Sequence, residues 1–445
     1  MSRTTRIIGA LSAVMISTAA MAGCSLGGAG ADSGSKEPAA ATASPKVTIH
    51  MMHLWPAESS AQQYKLVSQI IGEYETEHPG IRIEQEVLEN EQYKNKLKIL
   101  SASNELPDVG ITWAAGSMEP FVKANLFAPL DDLLIGPELG DQFVPGTTEA
   151  FAVDGSTYAL PLELNISPVY YNKELFARYG LKVPTTYDEL KSIVRTLTDN
   201  GVAPIALGNK DRWTGSLWYM YLADRIAGSE ALKQAISGKA SFQDPAFVKA
   251  AKEVQNLVKM NAFYKEFNGL SNEEGKSVFV SEKAAMYLTG TWELPNFTTN
   301  PEIPQSFRDK VGFFKFPTYS GGKGSIDSWV GGPGVGLFVA EESAVKEEAK
   351  AFVQYFISKW GEEAVATAGV IPATKVDTGS AGLPELYVDL LNELNRASSL
   401  TLFADVQMKP GAAQAHLDMI QALFGMAMTP EQFAAKHKEW IEKGI

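Results

Sequence analysis

The sequence predicts an α/β fold, and three observations predict it. From residue 47 onward, runs with the two-residue period of a strand alternate with runs of helical period. The first such series is strand, helix, strand, helix, strand, and parallel neighbours need a crossover of this kind. The 445 residues are 45% hydrophobic and 20% charged, an ordinary globular balance in a chain long enough for two domains.

Residues 47–52 read as the first strand. Val67, Ile70, Ile71 and Tyr74 then fall at helical spacing, and His78-Pro79-Gly80 ends that helix. Residues 81–87 alternate as a strand, Tyr93, Leu97 and Leu100 return to helical period, and 109–112 is a strand again. A helix with Leu190, Val194 and Leu197 precedes a short strand at 204–207. Helices around Ala223 and Val254 lead to strands at 284–288, 311–316 and 335–339. After Ala344 the chain is mostly helical, ending on Phe433 and Trp440. No internal repeat of fixed period is present.

Ahead of the strands, Arg3 and Arg6 precede an apolar run at 7–22 that closes on Met21-Ala22-Gly23-Cys24. This is the build of a secretory leader, and it falls short of the roughly twenty apolar residues of a spanning helix. An ordinary leader with an incidental cysteine behind it would carry the same residues. The arrangement resembles the bacterial lipobox, in which the thiol is acylated and becomes the first residue of the mature protein, with Met21 in place of the usual Leu. That resemblance implies a lipid-anchored protein on the outer face of the cytoplasmic membrane, and favours a single-membrane bacterium. Residues 25–45 are rich in Gly, Ala and Ser and hold no aromatic, so they form a flexible tether.

Charge and cysteine usage exclude other classes. Removing the leader takes the formal net charge from -13 to -15, and no Lys/Arg stripe is present, so nucleic acid is excluded as a partner. Cys24 is the only cysteine, so no disulfide supports the fold. His50 and His53, three apart on a strand, point to opposite faces, and no metal site is expected there. Gly275-Lys276-Ser277 lacks the spacing of a phosphate loop and reads as a surface turn. The Gly332, Gly334 and Gly336 series lacks dinucleotide spacing, and no Gly-x-Ser-x-Gly nucleophile elbow occurs.

Several segments occur in a fixed order: Pro107-Asp108-Val109 with Thr112-Trp113, Tyr170-Tyr171-Asn172-Lys173-Glu174-Leu175-Phe176, Gly208-Asn209-Lys210-Asp211-Arg212-Trp213, Gly290-Thr291-Trp292-Glu293 and Gly331-Gly332-Pro333-Gly334. The set resembles the extracellular solute-binding proteins of the carbohydrate family that serves ATP-driven importers. It implies a two-lobed, periplasmic-binding-protein-like fold of type II, with ligand in a cleft between α/β lobes. On that layout 1–23 is the leader, 24–45 the tether, 46–163 and 318–371 the first lobe, and 164–317 and 372–445 the second. It also implies a monomer without cofactor, binding a soluble oligosaccharide and docking on permease subunits driven by a cytoplasmic ATPase.

A sugar offers an apolar C–H face and a rim of hydroxyls, so its site needs flat aromatics and fixed polar groups. Trp113 stands at the carboxyl end of a predicted strand, where open sheets bind ligand, Trp213 in a polar loop, and Trp292 just past another strand. The resemblance to maltodextrin-type members puts stacking aromatics at these three. Trp55, at the end of the first strand, and Trp329, ahead of the glycines, are further candidates, although any one of them serves equally well as a half-buried Trp. Trp218, Trp360 and Trp440 sit in helical patterns and read as packing. For the rim, Glu163 and Asn165 share a strand face, Asp211 and Arg212 flank Trp213, and Asp405 lies in the last crossover region. Gly331 and Gly332 allow close backbone approach or simply form a turn. A glycoside hydrolase is the rival reading, with Glu163 and Glu293 as its carboxylate pair. A lipid-anchored adhesin for polymer surfaces is a third.

Overall fold

The computed structural model describes residues 47–136, 139–376 and 382–443. The leader, Cys24 and the whole tether lie outside the described residues. The strand Val47–His53 pairs in parallel with Ile81–Val87 on one side and Val109–Trp113 on the other. The helices Ala61–Glu77 and Asn90–Ser103 make the two crossovers. The first buries Leu66, Val67, Ile70, Ile71 and Tyr74, a stripe at three- and four-residue spacing.

The sheet differs from the all-parallel expectation at its far side. Val335–Val339 runs antiparallel to Val109–Trp113, and Leu160–Pro161 pairs beyond it. Val335–Val339 enters this sheet from the second half of the molecule, so no crossover helix fixes its direction. A second sheet orders Val311–Phe314, Val169–Asn172, Ala284–Leu288 and Ala203–Ala206. A third joins Ser399–Thr401, Ser328–Pro333 and Leu164–Ile166. Ser328–Pro333 has no counterpart in the sequence-based expectation, because its Gly331-Gly332-Pro333 reads as a turn. A Cβ on Gly331 would lie 2.2 Å from the Asn165 carbonyl oxygen, so the strand depends on glycine for its close approach.

Two hydrophobic cores result. One is built on Ile49, Ile111, Leu337, Phe352 and Phe356, the other on Tyr170, Ile205, Trp218, Met286 and Phe433. Membership switches between Leu162 and Leu164, and again between Val330 and Val335. The return expected near Pro317 therefore comes later, because Trp329 and Val330 pack with the second core. From 364 to 373 the chain straddles both, with Ala364, Ala368, Val370 and Ala373 in the first and Val365 and Ile371 in the second. Among the described residues, no helix is long and apolar enough to cross a membrane.

Candidate ligand-binding site

A cavity of about 170 Å³ opens where the two cores meet. Trp55 and Trp113 pack with the first core, Trp213 packs against the second and Phe403 against both, while Lys94 of the helix Asn90–Ser103 and Trp292 of the turn Thr291–Glu293 complete the lining. Trp113 is the last residue of its strand, at the carboxyl end. Tyr93 holds it edge-on at 6.0 Å and 69°, and the Lys94 ammonium lies 5.0 Å from its ring centroid. Trp292 stands in the short turn Thr291–Glu293 after the strand Ala284–Leu288. A Cβ on Gly290 would sit 2.0 Å from the Trp292 ring, so glycine gives the indole its place against the backbone.

Trp292 is close to perpendicular to Trp213 (5.7 Å, 70°) and to Phe403 (5.7 Å, 69°). Trp213 is the first residue of the helix Trp213–Ala227, where the sequence reads as a loop. That helix turns Trp213, Ser216, Leu217 and Met220 toward the cavity, one face at helical spacing. Trp55 lies two residues past its strand and is mostly covered, stacked on Trp360 at 5.2 Å.

Glu163 and Asn165 form the polar floor. Asn165 Nδ2 donates to Glu163 Oε2 at 3.3 Å, and Thr291 Oγ1 donates to Asn165 Oδ1 at 2.8 Å. Burial pushes the Glu163 carboxyl up to about 7, against the opposing Asn165 hydrogen bond. Glu163 Oε1 and Trp213 Nε1 are buried and have no hydrogen-bond partner among the described residues. Such atoms cost stability unless something pairs with them, and both belong to residues that line the cavity. Asp405 also lines it, its carboxyl raised by burial.

Lys276, read from sequence as part of a surface turn, belongs to this site. It lies inside the helix Asn272–Val280, which a Ser271/Glu274 capping box starts. Its Nζ sits 2.6 Å from Glu273 Oε2 and 3.5 Å from Glu293 Oε2, and donates to the Ser59 carbonyl at 3.5 Å. Burial opposes its charge, but Glu293 and Glu273 outweigh that and raise its pKa. The capping box Ser271-x-x-Glu274 was the available sequence signal for a helix here, and Glu273 with Lys276 adds an i,i+3 pair.

Four expected site residues lie elsewhere. Asp211 stands behind the wall, accepting from the Asn272 amide at 2.7 Å, and so supports a lining residue. Arg212 reaches away to Asp418 Oδ1 at 2.5 Å, because its backbone turns left-handed (φ 69°) just before the helix. Trp329 is 1% exposed in the second core, its strand face turned inward. Gly332 pairs opposite Asn165 in the sheet, and Gly334 takes the place expected of it. A Cβ on Gly334 would meet Asn165 Nδ2 at 2.4 Å. Of the histidines set aside for metal, His50 is exposed and His53 is buried on Gln85, and no metal-binding cluster occurs among the described residues.

Two cores with a cleft between them, lined by aromatic and polar side chains, have the architecture of a two-lobed binding protein. Residues 57–363 match the bacterial extracellular solute-binding protein family, and the chain belongs to it. It is 25% identical over 357 residues to the multiple sugar-binding protein of Streptococcus mutans, covering 78% of this chain and 77% of that one. A structure from work on xylan utilization by the thermophilic bacterium Caldanaerobius polysaccharolyticus matches at a TM-score of 0.84 and 34% identity. That match covers 88% of this chain and 99% of the other. A chitin oligosaccharide binding protein matches at 0.83 and 25%, covering 90% and 99%. The fold is thus the two-lobed solute-binding fold.

Proposed function

We propose that this protein captures a soluble oligosaccharide between its lobes and hands it to the permease of an ATP-driven importer. The observation that carries the reading is the mixed lining of the cleft. Trp113, Trp213 and Trp292 bring flat apolar surface beside the polar floor of Glu163 and Asn165. Relatives that bind multiple sugars and chitin oligosaccharides support it. Ligand stabilises a closed form by binding it more tightly than an open one, through a hinge at the segments joining the cores. The lipid on Cys24 keeps the carrier beside its permease, and residues 25–45 give it reach. It acts as a monomer without cofactor.

Capture with release requires only micromolar affinity, about -8 kcal/mol. Scanning fluorimetry against xylo- and chito-oligosaccharides of two to six units tests the reading. A ligand at 100 times its dissociation constant stabilises the fold by about 2.7 kcal/mol. Release of new reducing ends from these sugars would instead identify a hydrolase working through Glu163 and Glu293.

A further inference from the structure

Three buried side chains form one line from the cleft wall to the last helix. Ser216 Oγ lies 2.7 Å from His416 Nε2, His416 Nδ1 lies 2.7 Å from His437 Nε2, and His437 Nδ1 lies 2.9 Å from the Phe433 carbonyl oxygen. They come from the helices Trp213–Ala227, Pro410–Phe424 and Pro430–Lys443, and none is more than 1% exposed. Desolvation lowers His437 to about 4 and His416 well below its usual range, so both rings are neutral near pH 7.

A neutral imidazole has one donor and one acceptor, and a carbonyl only accepts. The Phe433 carbonyl therefore requires the proton of His437 on Nδ1, which leaves its Nε2 as an acceptor. His416 must then carry its proton on Nδ1 and accept at Nε2. Ser216 is left to donate its only hydroxyl proton to His416. No other hydrogen bond of Ser216 Oγ occurs among the described residues, and Ser216 lines the cleft beside Trp213 and Leu217.

We propose, resting on the sugar-binding reading above, that this relay presents Ser216 Oγ to the ligand as an acceptor only. Ser216 is then a specificity-determining residue, and His416 and His437 are positioning residues. The ligand group at this point must be a donor, a hydroxyl or an amide N–H. A methyl ether or a ring oxygen at the same position meets lone pairs and is rejected, because neither partner can supply a proton. A freely rotating serine hydroxyl would accept either kind of group.

The first test needs no sugar. Long-range ¹H–¹⁵N correlation on ¹⁵N-histidine-labelled protein at neutral pH should show His416 and His437 both protonated on Nδ1 and bare on Nε2. A proton on Nε2 of either ring overturns the proposal, whatever the ligand is. The second test is calorimetry with the tightest-binding xylo- or chito-oligosaccharide from the fluorimetry panel. Ser216→Ala should weaken binding roughly three- to tenfold. His437→Phe should weaken it in the native background and have no further effect in Ser216→Ala. Equal losses in both backgrounds, or unchanged affinity in Ser216→Ala, would assign the line to helix packing alone. Failure of every sugar to bind the native protein, with both tautomers as expected, would overturn the sugar reading and the ligand role of Ser216 while leaving the proton order standing.

Discussion

Gln63 Nε2 donates to the backbone carbonyl of Trp292 at 3.3 Å, and so ties a helix of the first core to the turn that carries a cleft aromatic. Lys276 Nζ and the Ser59 carbonyl make a second tie, at 3.5 Å. Both ties join the two sides of the cleft through groups that line it. Removing one tie should shift the population toward an open form. Gln63→Ala should raise the radius of gyration in small-angle scattering without sugar and leave it unchanged at saturating sugar. Affinity should fall roughly two- to tenfold. An unchanged scattering curve without sugar would show that the tie does not govern closure.

Trp292 packs against Trp213 and Phe403 and takes its position from Gly290. Trp292→Ala should cost about 2 kcal/mol or more of sugar binding, the loss typical of a buried aromatic anchor. Titration calorimetry reads this directly. Unchanged affinity would move the stacking surface to Trp113.

Glu163 connects the site to pH. Its carboxyl holds a proton in the folded protein up to about pH 7 and in the unfolded chain only to about 4.5. Below the lower value both states are protonated and nothing is lost. Between the two, the folded state binds more protons, so stability falls as pH rises, by on the order of 3 kcal/mol in total. Glu163→Gln keeps the hydrogen bond to Asn165 without the titration. It should therefore be more stable than the native protein at pH 8 and comparable at pH 4.5, as judged by urea midpoints. Parallel pH profiles for the two proteins would contradict the assignment.

Lys276 neutralises Glu293, which is 5% exposed on its side chain and also accepts from Asn296 Nδ2 at 2.8 Å. Lys276→Met leaves that carboxylate buried without its cation. A loss of about 2–4 kcal/mol in urea unfolding at pH 7 is expected. A loss under about 1 kcal/mol would mean that water entering the cleft already hydrates the carboxylate.

Where local pattern decides, the fold was legible: Ile81–Val87 ends where its alternation ends, and Ala284–Leu288 and Val335–Val339 end where their short, fully buried apolar runs end. Ser328–Pro333 was not legible, because its glycines serve a close backbone approach and strip the strand of side-chain pattern. Trp113 and Trp292 could be named from strand ends, Trp213 from a polar loop, and Glu163 and Asn165 from a shared strand face, with the family resemblance singling out the three tryptophans; all five line the cleft. Asp211 and Arg212 could not be excluded, because adjacency to Trp213 in sequence says nothing of a left-handed turn at Arg212. Lys276 was missed because a glycine before it suggested a turn. That Gly275 sits in a helix, where a Cβ would meet the Gly208 amide at 2.5 Å. The histidine line joins three helices that only the tertiary fold brings together.

The central claim is that the cleft between the cores holds a soluble oligosaccharide. Isothermal titration calorimetry of the native protein against xylo- and chito-oligosaccharides of two to six units tests it most directly. A single-site isotherm in the micromolar range, weakened in Trp292→Ala, is the predicted result. Absence of binding across the panel, or affinity for a sugar that Trp292→Ala and Ser216→Ala both leave unchanged, would contradict it.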